Sequence, residues 1–224
     1  MPRREYDQPC SLASALDRIG ERWSLLIVRE LALGPLRFSD LVRNVGKAPT
    51  DVLTKRLRDL EQHGIVSRRE LEPPASGVAY ALTEVGRGLE RPMLELGRWG
   101  LQFERGADIS QLPPTSLANA IRIIVQPPPE ARLTIGLRSG GQSYSLRIEE
   151  GWIAASRGEA QDADVILSGE PAAVLGALVA GEAGKDDVEV EGDRGALDEL
   201  RAMVVLPDRL RQAARALVAE SAAA

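Results

Sequence analysis

The apolar pattern of this chain changes texture across one polar segment. Up to about residue 103 they recur at three-to-four spacing, as amphipathic helices require; after about 115 they alternate as in half-buried strands, and helical spacing then returns. Between the two textures lies "ERGADISQLPPTS" (Glu104 to Ser116), polar and carrying Pro113-Pro114. A chain of 224 residues holds one large core or two small ones. A change of period across a polar, proline-bearing segment predicts two. The expected organisation is a first domain over 1–106, a linker over 107–115 and a second domain over 116–224.

Within the first domain, "CSLASALDRIG" and "ERWSLLIVREL" read as two buried helices, the second stopped by Gly34-Pro35. "RFSDLVRNV" reads as a third. A fourth starts at Pro49-Thr50, with Thr50 as its cap and Asp51 at the positive helix end, and closes at His63-Gly64 with the glycine left-handed. Leu53, Leu57 and Leu60 form its inward face. At 100° per residue, Asp51, Thr54, Lys55 and Arg58 then point outward together. "IVSRREL" and "GVAYALT", joined by "EPPASG", read as a hairpin. A last helix, roughly Glu84 to Glu104, is bent or split by Pro92. Three helices, a hairpin and a further helix make the order of a winged helix-turn-helix, in which the second motif helix enters the major groove.

Charge agrees with that order. The chain carries a net −5, yet Arg37 to Arg69 holds eight Lys/Arg against four Asp/Glu. The first 106 residues sum to +2 and the remainder to −7. A local positive field suffices for a polyanion, since exposed charges are screened beyond about 10 Å at 0.1 M salt. One Cys and one His exclude a Cys/His metal cluster and an internal disulfide. "MPRREYDQPC" is charged and no apolar signal core follows, and runs such as "LLIV" are too short to span a bilayer. The expectation is a cytoplasmic protein that uses no membrane. No Ser/His/acid arrangement is present, and "SGGQS" lacks a phosphate-loop Lys, so neither an enzyme nor a cofactor is expected.

The early Cys, "ERW-LLI-RE", "G-RFS-L", "LT-RLR-LE--G" and "Y-LTE-G" occur in that order over residues 8–103 and resemble the HxlR family of bacterial transcription regulators. The resemblance implies a winged-helix fold, homodimers joined through terminal helices and near-palindromic operators. The chain departs from relatives in two ways. Its wing tip "EPPASGVAY" has no basic residue, and Asp51 stands where relatives often have a basic or neutral one. Residues 115–224 resemble the sterol-carrier-protein-like fold, through "A-V-L-SGEPAAVLGALVAG" followed by "V-V-GD--AL--L". That likeness implies a sheet and helices around an apolar cavity that binds lipids or other hydrophobic molecules. The expected fold class is therefore α+β: a winged helix-turn-helix domain, then an α+β sterol-carrier-like domain with an antiparallel sheet covered by helices.

Candidate DNA-binding residues are Arg37 and Ser39, which open the third helix; Thr50, Asp51, Thr54, Lys55 and Arg58; and the wing residues Arg68 and Arg69, of which only one can face DNA. The bland alternative for the fourth helix is a solvated face with Asp51–Lys55 and Lys55–Asp59 pairs. Asp51 either accepts from a cytosine amino group or helps cap the helix. Ser39 binds phosphate or serves as a cap, and the two roles can coexist. Cys10 begins the first helix, whose N-terminus favours thiolate. Some members of the family sense oxidants or electrophiles through a Cys at this position, so the resemblance makes Cys10 a candidate redox sensor. The stripe Leu89, Met93, Leu96 and Phe103 is either intradomain core or a dimer seam. Expected partners are operator DNA, a second copy of the chain, and a hydrophobic small molecule or lipid as effector.

Overall fold

In a computed structural model, the structure describes residues 6–71, 76–103, 112, 114–181 and 187–221. Residues 72–75 of the wing tip and 107–111 and 113 of the expected linker lie outside the described residues. The chain divides into two compact units, Met1–Met93 and Leu94–Ala224.

The first unit contains α1 (Ser11–Ile19), α2 (Ser24–Leu31), α3 (Phe38–Val45), α4 (Thr50–Gln62), β1 (Val66–Glu70), β2 (Val78–Leu82), α5 (Glu84–Arg87) and the start of α6 (Glu90–Gly100). Ile27, Val28 and Leu31 of α2, Leu41 and Val45 of α3, and Leu53, Leu57 and Leu60 of α4 share one core with Ile65, Val66 and Leu82. β1 and β2 pair antiparallel from Val66↔Leu82 to Glu70↔Val78. Leu36, just before α3, makes an isolated antiparallel bridge to Tyr80 of β2. Together these elements form a winged helix-turn-helix.

The last predicted helix splits at Gly88-Leu89, and Pro92 is the third residue of α6 rather than its kink. A proline ring meets the carbonyl of the residue four back. Here that residue is Gly88, where the helix is interrupted. Thr83 caps α5 by accepting from the Gly86 amide at 3.1 Å. A Cβ on Gly86 would lie 2.1 Å from the Ile65 carbonyl oxygen, so only glycine lets α5 approach β1 this closely.

In the second unit, α7 (Pro114–Ile124) precedes β3 (Leu133–Ser139), β4 (Gln142–Glu149), β5 (Trp152–Arg157) and β6 (Val165–Gly169); α8 (Pro171–Ala180), β7 (Val188–Gly192), α9 (Arg194–Ala202) and α10 (Asp208–Ser221) follow. The sheet order is β5-β4-β3-β6-β7. Leu133, Ile135 and Leu137 with Tyr144, Leu146 and Ile148 face the helices, and the alternate residues make an open, polar face. α8 is apolar on all sides and buried; α10 packs against it.

The expected antiparallel sheet is corrected by one pairing: β3 and β6 run parallel, Ile135↔Val165 to Arg138↔Ser168. After β5 the chain does not add another hairpin. It returns to the free edge of β3, where the Asp164 amide donates to the Thr134 carbonyl at 2.8 Å and the Asp164 carboxylate accepts from the Thr134 amide at 2.7 Å. Arriving at the start of β3, β6 must continue in the same direction. Glu159 secures the returning segment across the open face. Its carboxylate accepts from the Ser143 hydroxyl at 2.6 Å and from Arg138 at 3.2 Å, and Arg138 also holds Glu191 of β7 at 2.6 Å.

Candidate nucleic-acid interface

The positive segment from Arg37 to Arg69 is sorted by ion pairing. Asp40 takes Arg43. Asp59 takes Arg56 at 2.7 Å, and Arg56 also reaches Glu21 at 2.6 Å, thirty-five residues back in the chain. Glu61 takes Arg68 at 3.0 Å, and that guanidinium also sits over the Tyr80 ring. Five cations remain with no ion pair or side-chain hydrogen bond among the described residues: Arg37, Lys47, Lys55, Arg58 and Arg69, all exposed. One carboxylate, Asp51, also remains.

Neither i,i+4 pair of the bland alternative forms. Asp59 turns to Arg56 because Glu21 already draws that guanidinium to the same place, and Lys55 is left outward. α4 has its leucines fully buried while Asp51, Lys55 and Arg58 face out along one line. Such a face offers a long ladder of charge at helical spacing, which suits successive phosphates and base edges in a groove.

Two expected caps are corrected. α4 has Pro49 at its N-cap with no side-chain hydrogen bond, and Thr50 is the first helical residue. The Leu53 amide already closes the first turn onto the Pro49 carbonyl, which brings Thr50 inside the helix. The Thr50 carbonyl instead accepts from the Thr54 hydroxyl at 2.8 Å. With its proton committed, Thr54 offers a methyl group and a lone pair, but no donor. In α3 the N-cap is Arg37, again without a side-chain bond, and Ser39 is the second helical residue with its side chain exposed. The first amides of both helices thus point outward uncapped by side chains.

Arg68 and Arg69 behave differently, as alternation on a strand requires: Arg68 is held by Glu61, and Arg69 is unpaired. Lys47, in the turn between α3 and α4, was missed by the periodicity argument, which sees only residues inside a helix. Its signal was a lone basic residue three positions before α4. His63 occupies the C-cap of α4, a dipole-facing position.

Cys10 is the N-cap of α1 and its thiol is exposed. Neighbouring Pro9 lines an open polar depression of about 690 Å³ with Ser14, Asp17, Arg18 and His63. The apolar stripe divides. Leu89 and Met93 pack against the core of the first unit. Leu96 and Phe103 of the second unit are 49% and 59% exposed, with Trp99 between them at 59% and its ring edge-on to Phe103.

Residues 18–107 match the family described as HxlR-like helix-turn-helix. HTH-type transcriptional regulator YodB of Bacillus subtilis is 36% identical over 92 residues, which are 41% of this chain and 82% of YodB. The chain belongs to the HxlR-like helix-turn-helix family. An uncharacterised HTH-type transcriptional regulator of Mycobacterium tuberculosis is 40% identical over 93 residues, 42% of this chain and 58% of that relative, so little more than half of the relative is matched. Among solved structures, the redox regulator HypR in its oxidised form is 34% identical, with 43% of this chain and 98% of HypR covered and a TM-score of 0.39. Reduced YodB from B. subtilis is 36% identical, with 45% and 100% covered and a TM-score of 0.38. For this HxlR-like chain, the family region and the unpaired cations fall on the same elements. Among the described residues, no helix is long and apolar enough to cross a membrane.

Proposed function

We propose that this HxlR-like protein is a cytoplasmic transcription regulator that binds near-palindromic operator DNA as a homodimer. The sorting of charge carries the reading: pairing consumes three cations between Arg37 and Arg69 and leaves five on the helix-turn-helix and wing. In this reading α4 enters the major groove, with its symmetry mate about 34 Å away in the next. Lys55 and Arg58 supply phosphate contacts and the counterion-release term. Arg37, Ser39 and the first amides of α3 hold a phosphate, and Lys47 and the first turn at Thr50 add another. Thr54 presents its methyl to base edges. Arg69 is the wing cation, and Arg68 is the strut that braces β1 against α4.

The second copy docks on the exposed Leu96, Trp99 and Phe103. Functionally, residues 1–106 bind DNA and dimerise, 107–115 link, and 116–224 take an effector. The sterol-carrier-like reading of that last part is supported by a sheet with helices on one face and by a cleft of about 400 Å³. Ala177, Val188, Val190 and Leu197 form its apolar lining, and Arg194, Arg201 and Asp198 its charged one. That volume falls in the ~300–1,000 Å³ range of small-molecule sites. A hydrophobic effector would act by preferring one spacing of the two recognition helices over another.

Sequencing genomic DNA that co-purifies with the protein tests the reading: recovery of a shared near-palindrome supports it, and random fragments contradict it. Native mass spectrometry of the same preparation reads the dimer and any retained lipid. A second reading, a thiol switch, rests on the exposed Cys10 thiol at the head of α1. Operator affinity unchanged after Cys10 alkylation would remove it.

A further inference from the structure

Asp51 is the one carboxylate between Arg37 and Arg69 that no cation claims. The other three, Asp40, Asp59 and Glu61, are each ion-paired. Lys55 stands one turn away, at the spacing where such pairs form, and does not engage it. Nor does Asp51 cap α4: the N-cap is Pro49, and no backbone amide is bonded to the Asp51 side chain. What remains is an exposed acceptor at the second position of α4, on the line of Lys55 and Arg58. The N-terminal residues of a recognition helix are those that reach base edges.

We propose that Asp51 reads sequence, by accepting a hydrogen bond from the 4-amino group of a cytosine in the major groove, so that each half-site requires a C·G pair at one position. This inference rests on α4 being the recognition helix. An ionised carboxylate can only accept, and phosphates repel it, so on a duplex it needs a base amino group. In the major groove only cytosine and adenine carry one. Adenine sets the N7 acceptor beside its amino group, which a carboxylate would face with a lone pair. Guanine shows N7 and O6, and thymine shows O4, all acceptors. Cytosine is the one edge on which Asp51 meets a donor and no opposing acceptor. Lys55 and Arg58, one and two turns on, hold the backbone close enough for that contact and offset the repulsion between Asp51 and the phosphates.

The test is selection from randomised duplexes with the full chain as wild type, Asp51→Asn and Asp51→Ala, followed by affinity measurement on the recovered site. The wild type should recover one invariant C per half-site, and replacing it should cost roughly five- to a hundredfold in affinity. Asp51→Asn should move that position to A, because a carboxamide matches the amino group and N7 together. Asp51→Ala should leave the position random. In both variants the other positions stay unchanged, which also reports that the fold is intact. Retention of C by both variants would overturn the assignment. So would a uniform gain in affinity on every sequence with base preference unchanged, since Asp51 would then only repel phosphate. A wild type that selects no sequence at all defeats the DNA-binding reading itself, and the assignment with it.

Discussion

Two arginines two residues apart on α4 meet opposite fates. Arg56 is drawn inward to Glu21 and Asp59, and its side chain is only 13% exposed; Arg58 has water on every side that matters. Arg58→Ala is therefore expected to weaken operator binding and to reduce the slope of log affinity against log salt by about 0.9 per protomer, leaving stability within about 0.5 kcal/mol. Arg56→Ala should do the reverse: lose about 1 kcal/mol of stability through its partly exposed pairs and leave the slope unchanged. Salt titration and urea melts on both variants check this, and equal slopes for the two would contradict it. The outward face of α4 was legible in the sequence because a 100° step needs only local information. Which basic residues stay free was not, because Glu21, which claims Arg56, is distant in sequence and arrives only through the packing of α1 and α2 against α4.

Elements here are fixed by close approach and by crossings. Gly86→Ala would drive a Cβ into the Ile65 carbonyl, so we expect destabilisation of about 1–3 kcal/mol, read as a lower urea midpoint. A midpoint equal to wild type would mean that α5 can move away freely. In the second unit the Ser143 hydroxyl, and after it Arg138, hold the Glu159 carboxyl below its ordinary 4.5. A carboxyl lowered by folding stabilises at pH above its ordinary value, and that contribution is lost as pH falls through the lowered folded value. Ser143→Ala removes the largest cause, so the Glu159 titration should move up toward 4.5 and the returning segment should loosen at a higher pH. Carbon-detected NMR titration of the side-chain carboxyl reads the shift directly, and an unmoved titration would contradict the cause. Alternation of apolar residues showed the strands of this sheet but not the parallel β3–β6 pair. A turn after β5 reads alike whether the chain folds back on β5 or crosses to β3. The element that decides it, Asp164 meeting Thr134, is a contact and not a pattern. Pro92 did foretell the split of the last helix, although its steric consequence falls four residues earlier, at Gly88.

At the scale of the whole molecule, the proposed DNA binding of a chain of net charge −5 runs through one positive region, so in this reading affinity depends on presenting that region twice. Trp99→Asp should convert the dimer to monomer in sedimentation velocity and reduce operator affinity by at least about a hundredfold, since one half-site alone then binds. A dimer that survives the substitution would move the seam away from Leu96, Trp99 and Phe103. The central claim is that five unpaired cations per protomer, ten per dimer, meet phosphates. It is tested most directly by the affinity of the intact protein for its recovered operator between about 50 and about 200 mM salt. Ten such contacts, at a slope of about −0.9 each, predict a fall of about five orders of magnitude across that range. A fall of less than about tenfold would show that those side chains face water in the complex as well, and would contradict it.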